Sequence, residues 1–228
     1  MSKTALIIGN SDGIGLALTQ ELLRQGWKVF GVSRSRSPIK NVSYIHTICK
    51  VQDTSFLNRL STILKKSDSL YLCVYCAGIG AWLNLEDMSE ETTVVEVNFL
   101  GMVRTASIVI PQMIRQRRGH FIGLSSVADL MLSPESPSYH GSKAGFSNYL
   151  ESLGLAVKSQ NVHVTNIAFG FVNTKMAKGE VKPMMMSVDK AVQHILRCMD
   201  KKPIRYTAPK LALPLVYFRR WMLRWKAL

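Results

Sequence analysis

Cysteine is scarce in this sequence: Cys49, Cys73, Cys76 and Cys198 are the four in 228 residues, and a chain of this length needs no disulfide framework to hold a core. Cys73 and Cys76 form a C-x-x-C in the apolar run 70–76. Residues three apart on a strand face opposite ways, so neither a redox pair nor a zinc site is expected there. Histidine is equally thin, with five residues at 46, 120, 140, 163 and 194 that show no ligand spacing, and no metal is expected. Internal repeats, low-complexity tracts and long linkers are missing too. That leaves one domain over 1–228 as the expectation, and 47% hydrophobic residues is enough for its core. No secretory leader is legible, because Met1, Ser2 and Lys3 run straight into a short apolar stretch that Gly9 cuts. A cytoplasmic protein is expected.

Acidic residues are in short supply. Lysine and arginine number 29 against 15 aspartates and glutamates, a formal charge of +14. The imbalance is concentrated at one end: Lys201, Lys202, Arg205, Lys210, Arg219, Arg220, Arg224 and Lys226 have no acid among them, and they supply more than half of the excess. Such a segment calls for an anionic neighbour. Outside this tail the bases are not interleaved with stacking aromatics, so nucleic acid is not the expected partner.

What is present is alternation. Short apolar, β-branched runs at 4–8, 28–33, 42–49, 69–76, 120–125, 162–168 and 204–208 read as strands, and longer segments of helical period separate them at 14–25, 55–65, 90–117, 138–159 and 187–198. The fold expected is therefore α/β: a Rossmann-type, doubly wound parallel sheet of about seven strands with helices on both faces, followed by a basic amphipathic C-terminal tail at 209–228. The stretch 172–186 lacks periodicity and follows a strand's carboxyl end, where ligand-covering loops occur in such sheets.

The first strand runs into Gly9, Asn10, Ser11, Asp12, Gly13, Ile14 and Gly15 as the first helix opens. Glycines allow a tight turn and close approach of backbone to a pyrophosphate, whose charge the helix N-terminus stabilises. The alternative is an ordinary strand-to-helix turn, since Leu18 stands where the general G-x-G-x-x-G pattern wants its last glycine. At the end of the second strand, where an NAD enzyme carries an acid for the ribose hydroxyls, there is none. Ser33, Arg34 and Arg36 stand there instead, suited to a 2′-phosphate because guanidinium groups match phosphate oxygens in pairs. A solvated basic loop is the other reading of these residues.

Tyr139 and Lys143 lie four apart at the start of a helical segment, hence on one face. A tyrosine titrates near 10, so acid/base duty near neutrality requires lowering it by about three units, roughly 4 kcal/mol, and a lysine ammonium beside it supplies a field of that sign.

With Gly9, Gly13 and Gly15, then Cys76, Ala77 and Gly78, then Asn98, Ser125 and Ser126, Tyr139 and Lys143 in this order, the sequence resembles the short-chain dehydrogenase/reductase family from end to end. The separations agree as well: Ser126 precedes Tyr139 by 13 residues and Asn98 precedes Ser126 by 28. The resemblance implies an oxidoreductase that moves a hydride between nicotinamide and the carbonyl or carbinol carbon of a small molecule. NADP(H) is the cofactor expected from Ser33, Arg34 and Arg36, with NAD(H) as the alternative. In the implied tetrad Tyr139 exchanges a proton with the substrate oxygen and Ser126 orients that oxygen. Lys143 holds the nicotinamide ribose and depresses the tyrosine pKa, while Asn98 keeps a water that relays protons to solvent. The glycine loop, Cys76, Ala77 and Gly78 are implied in cofactor binding, as are Gly170, Val172 and Thr174, the last two at the nicotinamide carboxamide. Members commonly associate through helical faces, which implies a homo-oligomer.

Four positions depart from the family's pattern. Ile8 stands for a threonine, Cys76 for an asparagine and Phe169 for a proline, while Lys50 stands where an aspartate commonly meets adenine and leaves Val51 only its backbone to offer. A protein that keeps the dinucleotide fold for sensing or scaffolding without turnover is the rival reading, and the joint presence of Asn98, Ser126, Tyr139 and Lys143 argues against it. Trp82, Leu83, Leu132, Phe171, Met184, Met185 and Met186 fall where the family builds its substrate cleft, which suits a lipophilic ligand.

On a helical wheel Leu211, Leu215, Phe218, Met222 and Trp225 form a stripe, with Trp221 beside it and Arg220 and Arg224 opposite, and Pro214 marks a helix start. Two readings stand together: peripheral contact of 210–228 with an anionic membrane, or packing on the protein's own cleft or a sister subunit.

Overall fold

The computed structural model describes residues 3–67, 69–177, 184–211, 213–214, 217–218 and 221–222. Seven strands, β1 Thr4–Ile8, β2 Lys28–Ser33, β3 Tyr44–Ile48, β4 Leu72–Tyr75, β5 Gly119–Ser126, β6 Val162–Phe169 and β7 Arg205–Ala208, form one sheet in the order β3-β2-β1-β4-β5-β6-β7. Every pairing is parallel. Helices α1 Gly13–Arg24, α2 Phe56–Lys65, α3 Ser89–Val95, α4 Gly101–Gln116, α5 Pro137–Ala156 and α6 Val188–Lys201 connect them.

Strand residues alternate between two cores, which is why the sheet is covered on both faces. Leu6 and Ile8 of β1 pack with Phe56 and Leu60 of α2, Met102 and Val109 of α4, and Phe146 and Leu150 of α5. Ala5 and Ile7 pack with Leu18 and Leu22 of α1 and with Ala191 and Ile195 of α6. The same alternation separates Cys73 from Cys76, which join opposite cores as free thiols. Because β1 has β2 on one side and β4 on the other, the chain reverses its winding there, and a crevice opens beyond the carboxyl ends of β1 and β4.

Two local departures from the sequence pattern shape that crevice. The run at 69–76 yields only the short β4, because the side-chain amide of Gln116 takes both backbone groups of Leu70, accepting from its N–H at 3.0 Å and donating to its carbonyl at 3.0 Å. The helical stretch at 90–117 is broken between α3 and α4 by a π-helical turn, Glu96–Leu100, where the Val97 carbonyl receives the Tyr75 hydroxyl at 2.5 Å. Asn98 sits in the middle of this turn.

Candidate active site

The glycine loop leaves β1 and turns back under α1. Gly9 and Gly13 have φ of +86° and +54°, in the left-handed region, and a Cβ on Gly9 would come within 2.6 Å of the Ala77 nitrogen. A Cβ on Gly15 would strike the Gly9 carbonyl oxygen, and one on Gly13 would lie 3.3 Å from Thr174. The loop is thus a bare-backbone cradle at a helix N-terminus, flanked by Ala77 on one side and Thr174 on the other, and it fits a dinucleotide pyrophosphate. Ser11 and Ile14 lie along it, partly exposed. Asp12 caps α1 by accepting the Gly13 N–H at 2.7 Å, and it pairs with Lys175 at 2.8 Å. The Lys175 ammonium, followed by the Gly13 N–H, holds its carboxyl below the usual range.

The Asn10 side chain is buried and braces the loop against the neighbouring strands. The amide crosses Gly31 and donates to the Tyr44 hydroxyl at 2.6 Å, and Gly31 is required there because a side chain would collide with both groups. Ser33 is buried, and its hydroxyl lies 2.8 Å from the Ser35 carbonyl and 2.8 Å from His46 Nε2. Ser33 thus shapes the turn that displays Arg34 and Arg36, both exposed. Val51 is buried, its carbonyl accepts from Arg104 at 3.4 Å, and Asp53 closes the turn by accepting the Lys50 N–H at 3.0 Å.

The catalytic tetrad is brought together across the carboxyl ends of β4 and β5. Pro137 opens α5 with its fixed φ, and Glu91 of α3 binds both the N–H and the hydroxyl of Ser138, at 3.1 and 2.9 Å, so the helix start that carries Tyr139 is pinned. Lower on α5, Phe146 and Leu150 press onto Gly123 of β5, where an added Cβ would overlap both rings and methyls. This close approach sets Tyr139 near Ser126, whose hydroxyl accepts the Ala128 N–H at 3.2 Å. Lys143 is buried, with Nζ donating to the Leu124 carbonyl at 3.0 Å and standing 5.9 Å from the Tyr139 ring centre.

Asn98 serves as a brace. Its Oδ1 accepts the Ile79 N–H at 2.8 Å, and Nδ2 donates to the Ile79 carbonyl at 2.9 Å and to Ser142 Oγ at 3.1 Å, tying the loop after β4 to α5. Both amide protons are committed to these two contacts. Gly78 sits at the junction: an added Cβ would be 3.4 Å from Asn98 Oδ1, 3.6 Å from Met176 and 3.8 Å from Lys143 Nζ.

The electrostatics differ from the expectation in one respect. Burial pushes the Tyr139 phenol up; the Ser126 hydrogen bond opposes this and the Asp129 carboxylate adds to it. Burial likewise pushes Lys143 down to about 8, with Asp129 and then Cys76 pulling the other way. The lysine lies beside the ring with Nζ aimed at Leu124, and burial is the largest influence on the tyrosine. Cys76 is itself pushed up to about 12 by burial and is a neutral thiol whose N–H holds the Ile8 carbonyl at 2.8 Å.

Behind the tetrad lies a charged network that the sequence did not reveal. Ser147 Oγ donates to Asp129 at 2.5 Å and meets Ser125 Oγ at 2.8 Å, while Arg205 of β7 grips Asp129 at 2.9 Å and Glu151 at 2.7 Å. Burial raises Asp129, partly offset by Ser147 and Arg205. Removing one partner from a buried pair strands the other. Arg205→Met is therefore expected to cost about 2–3 kcal/mol of stability in urea unfolding. Adding Asp129→Asn should restore most of that loss; a double variant no more stable than Arg205→Met would show that the pair is not the cause.

After β6, Phe169 continues the strand where a proline was expected, and Gly170 donates to the Ala208 carbonyl at 2.8 Å. Val172 is buried and bridges Met186, so only its backbone is left for a ligand. Around the cleft Trp82, Leu132, Phe171, Met176 and Met184 are exposed, while Met186 belongs to the core, and Leu83 donates to the Glu135 carbonyl at 2.8 Å. Glu91, Asp129, His46, Met176 and Arg205 were not singled out from the sequence, because each gains its role from a partner far away in the chain. Leu215, Arg220, Arg224 and Trp225 of the expected tail stripe lie outside the described residues.

A bare-backbone cradle at the head of a doubly wound sheet, with a serine, tyrosine and lysine grouped beyond it, defines a dinucleotide-dependent oxidoreductase class. A family model described as short chain dehydrogenase matches residues 3–184, and the chain belongs to that family. An uncharacterized oxidoreductase of Myxococcus xanthus is 30% identical over 206 residues, covering 84% of this chain and 81% of that protein. A 3-oxoacyl-[acyl-carrier-protein] reductase, FabG, of Chlamydia trachomatis is 30% identical over 193 residues, covering 78% and 77%. Among solved structures, a short-chain dehydrogenase from Burkholderia cenocepacia in complex with NADP superposes with a TM-score of 0.84 at 18% identity, covering 94% of this chain and 91% of that one.

Proposed function

We propose that this protein is an NADP(H)-dependent reductase of a lipophilic carbonyl compound. The observation that carries the reading is Tyr139 at the head of α5, set near Ser126 and with Lys143 Nζ 5.9 Å from its ring centre. A phenol that is protonated at neutral pH can give its proton to a carbonyl oxygen as the carbon is reduced. The bound nicotinamide would supply or receive the hydride. The chain's own part is position and electrostatics. The cradle from Gly9 to Gly15 holds the pyrophosphate, and Lys143 holds the nicotinamide ribose with only a minor contact from Tyr139. Thr174 and the backbone at Gly170 and Val172 border the nicotinamide end, Ser126 fixes the substrate oxygen, and Tyr139 protonates it. A 3-oxoacyl reductase among the relatives and the exposed apolar rim of Trp82, Leu132, Phe171 and Met184 support 3-oxoacyl compounds as the substrate class.

The test is NADPH oxidation with a panel of 3-oxoacyl thioesters and other lipophilic ketones. Binding of NADPH without turnover across the whole panel would favour the silent, cofactor-sensing reading. The proposal also includes a cytoplasmic homo-oligomer, to be read by light scattering.

Cofactor choice rests on Arg34 and Arg36, which stand exposed at the β2 edge with no acid to repel a 2′-phosphate. One lost charge-assisted hydrogen bond is worth about 1.5–3 kcal/mol. Arg34→Ala is therefore expected to weaken NADPH by at least about tenfold and to leave NADH unchanged. Equal dissociation constants for the two cofactors in the unmutated protein would refute this preference.

A further inference from the structure

Beyond β7 the chain carries apolar surface that neither the cofactor nor the tetrad uses. Leu213, Pro214, Tyr217, Phe218, Trp221 and Met222 have helical backbone. Counted from Pro214, positions 217, 218, 221 and 222 fall at i+3, i+4, i+7 and i+8, which is one face of a helix. That face is turned outward: Tyr217, Phe218 and Trp221 are 56%, 58% and 60% exposed, and Leu211 just before them is 81% exposed. Phe218 and Trp221 lie ring against ring, 6.1 Å between centres. Among the described residues, the body of the protein therefore leaves the larger part of these three aromatic side chains open to solvent.

Charge indicates what does cover it. After Asp200 there is no acid, and eight lysines and arginines follow, four of them interleaved with or flanking the aromatic positions at 219, 220, 224 and 226. A second copy of this chain would bring the same unbalanced bases to the contact, and like charges oppose that pairing. A sequence that interleaves aromatic residues with bases matches an interface of acyl chains below and anionic headgroups above, where arginine and lysine keep their charge in the headgroup layer.

We propose that residues 210–228 dock the protein peripherally on an anionic phospholipid surface, with Tyr217, Phe218, Trp221 and Met222 inserted among the lipids. The docking face is independent of which substrate the active site takes.

The experiment is co-sedimentation of the full chain with vesicles of phosphatidylcholine alone and of phosphatidylcholine mixed with phosphatidylglycerol, each at low and high salt. The protein should pellet with the mixed vesicles at low salt, and the pelleted fraction should fall about tenfold at high salt or without the anionic lipid. Phe218→Ser combined with Trp221→Ser should lose binding by a similar factor while the unfolding temperature stays unchanged, since both side chains are exposed. Failure of the unmutated protein to pellet at low salt overturns the proposal. So does a double variant that pellets as well as the parent, which would leave the general positive charge as the cause, or equal binding to neutral vesicles. Loss of a dimer in the double variant, with no vesicle binding in the parent, would assign the face to a second copy instead.

Discussion

Tyr139→Phe should lower turnover by about 10²–10⁴-fold, the range a positioned general acid contributes, and leave the NADPH dissociation constant within about twofold. In free-energy terms that is about 3–5 kcal/mol withdrawn from the transition state alone. The reason lies in what the phenol touches. Its hydroxyl meets Ser126 and stands at the cleft, while Lys143 keeps its own hydrogen bond to Leu124 and the glycine cradle is untouched. Phenylalanine fills the same space, and Ser126 retains the Ala128 N–H as a partner. Steady-state kinetics with any substrate found in the carbonyl panel, together with a fluorescence titration of NADPH, separates the two effects. A variant that kept a tenth of the activity would remove Tyr139 from the role of proton donor.

Lys143→Met is expected to abolish turnover to a similar degree, to weaken NADPH by about tenfold or more through lost ribose contacts, and to make the protein more stable. The last effect follows from the pKa. Burial pushes Lys143 from 10.5 down to about 8, so the folded protein binds this proton less tightly than the unfolded chain does. A group of this kind is destabilising wherever the unfolded lysine is charged and the folded one resists it: the penalty is complete below about 8 and fades as pH rises toward 10.5. Such a depression amounts to about 3 kcal/mol. Methionine escapes it but forfeits the Leu124 hydrogen bond, worth about 1–1.5 kcal/mol, so a net gain of about 1–2 kcal/mol remains, a few degrees of melting temperature for a chain of this size. The gain should be visible at pH 7 and shrink by pH 10. A lower melting temperature at pH 7 for Lys143→Met would show that the ammonium is better solvated than its surroundings indicate.

Much of this site could be read from the sequence because its parts are local. The glycine loop, the pairing of Tyr139 with Lys143 and the alternation of strands and helices each depend on residues within a few positions of one another, where strand and helix periods act directly. Strands β1 and β2 were placed to the residue, and β5, β6 and β7 to within one. What stayed hidden is set by distant partners. The π-helical turn under Asn98 depends on the Tyr75 hydroxyl, and periodicity has no mark for it. Ser33 reads as a phosphate ligand in the sequence, and its contact with His46 on the neighbouring strand has no mark there. Asp129 stands in a turn that reads as an ordinary polar residue, and its importance comes from Arg205 on the last strand.

The strand order also governs how the chain reaches its native state. β1 pairs first with β2, its near neighbour, but its other side waits for β4, so a strand that ends up buried along its whole length keeps an open edge through part of synthesis. The reaction centre closes later still. Asn98 must find Ser142 across 44 residues, and Asp129 must find Arg205 across 76. Contacts of such long range form only after the entropy of closing their loops has been met. The dinucleotide half of the sheet is therefore competent to collapse while the chain is still being made, whereas the proton-transfer machinery is among the last parts to take shape, when β7 arrives with the arginine that locks it.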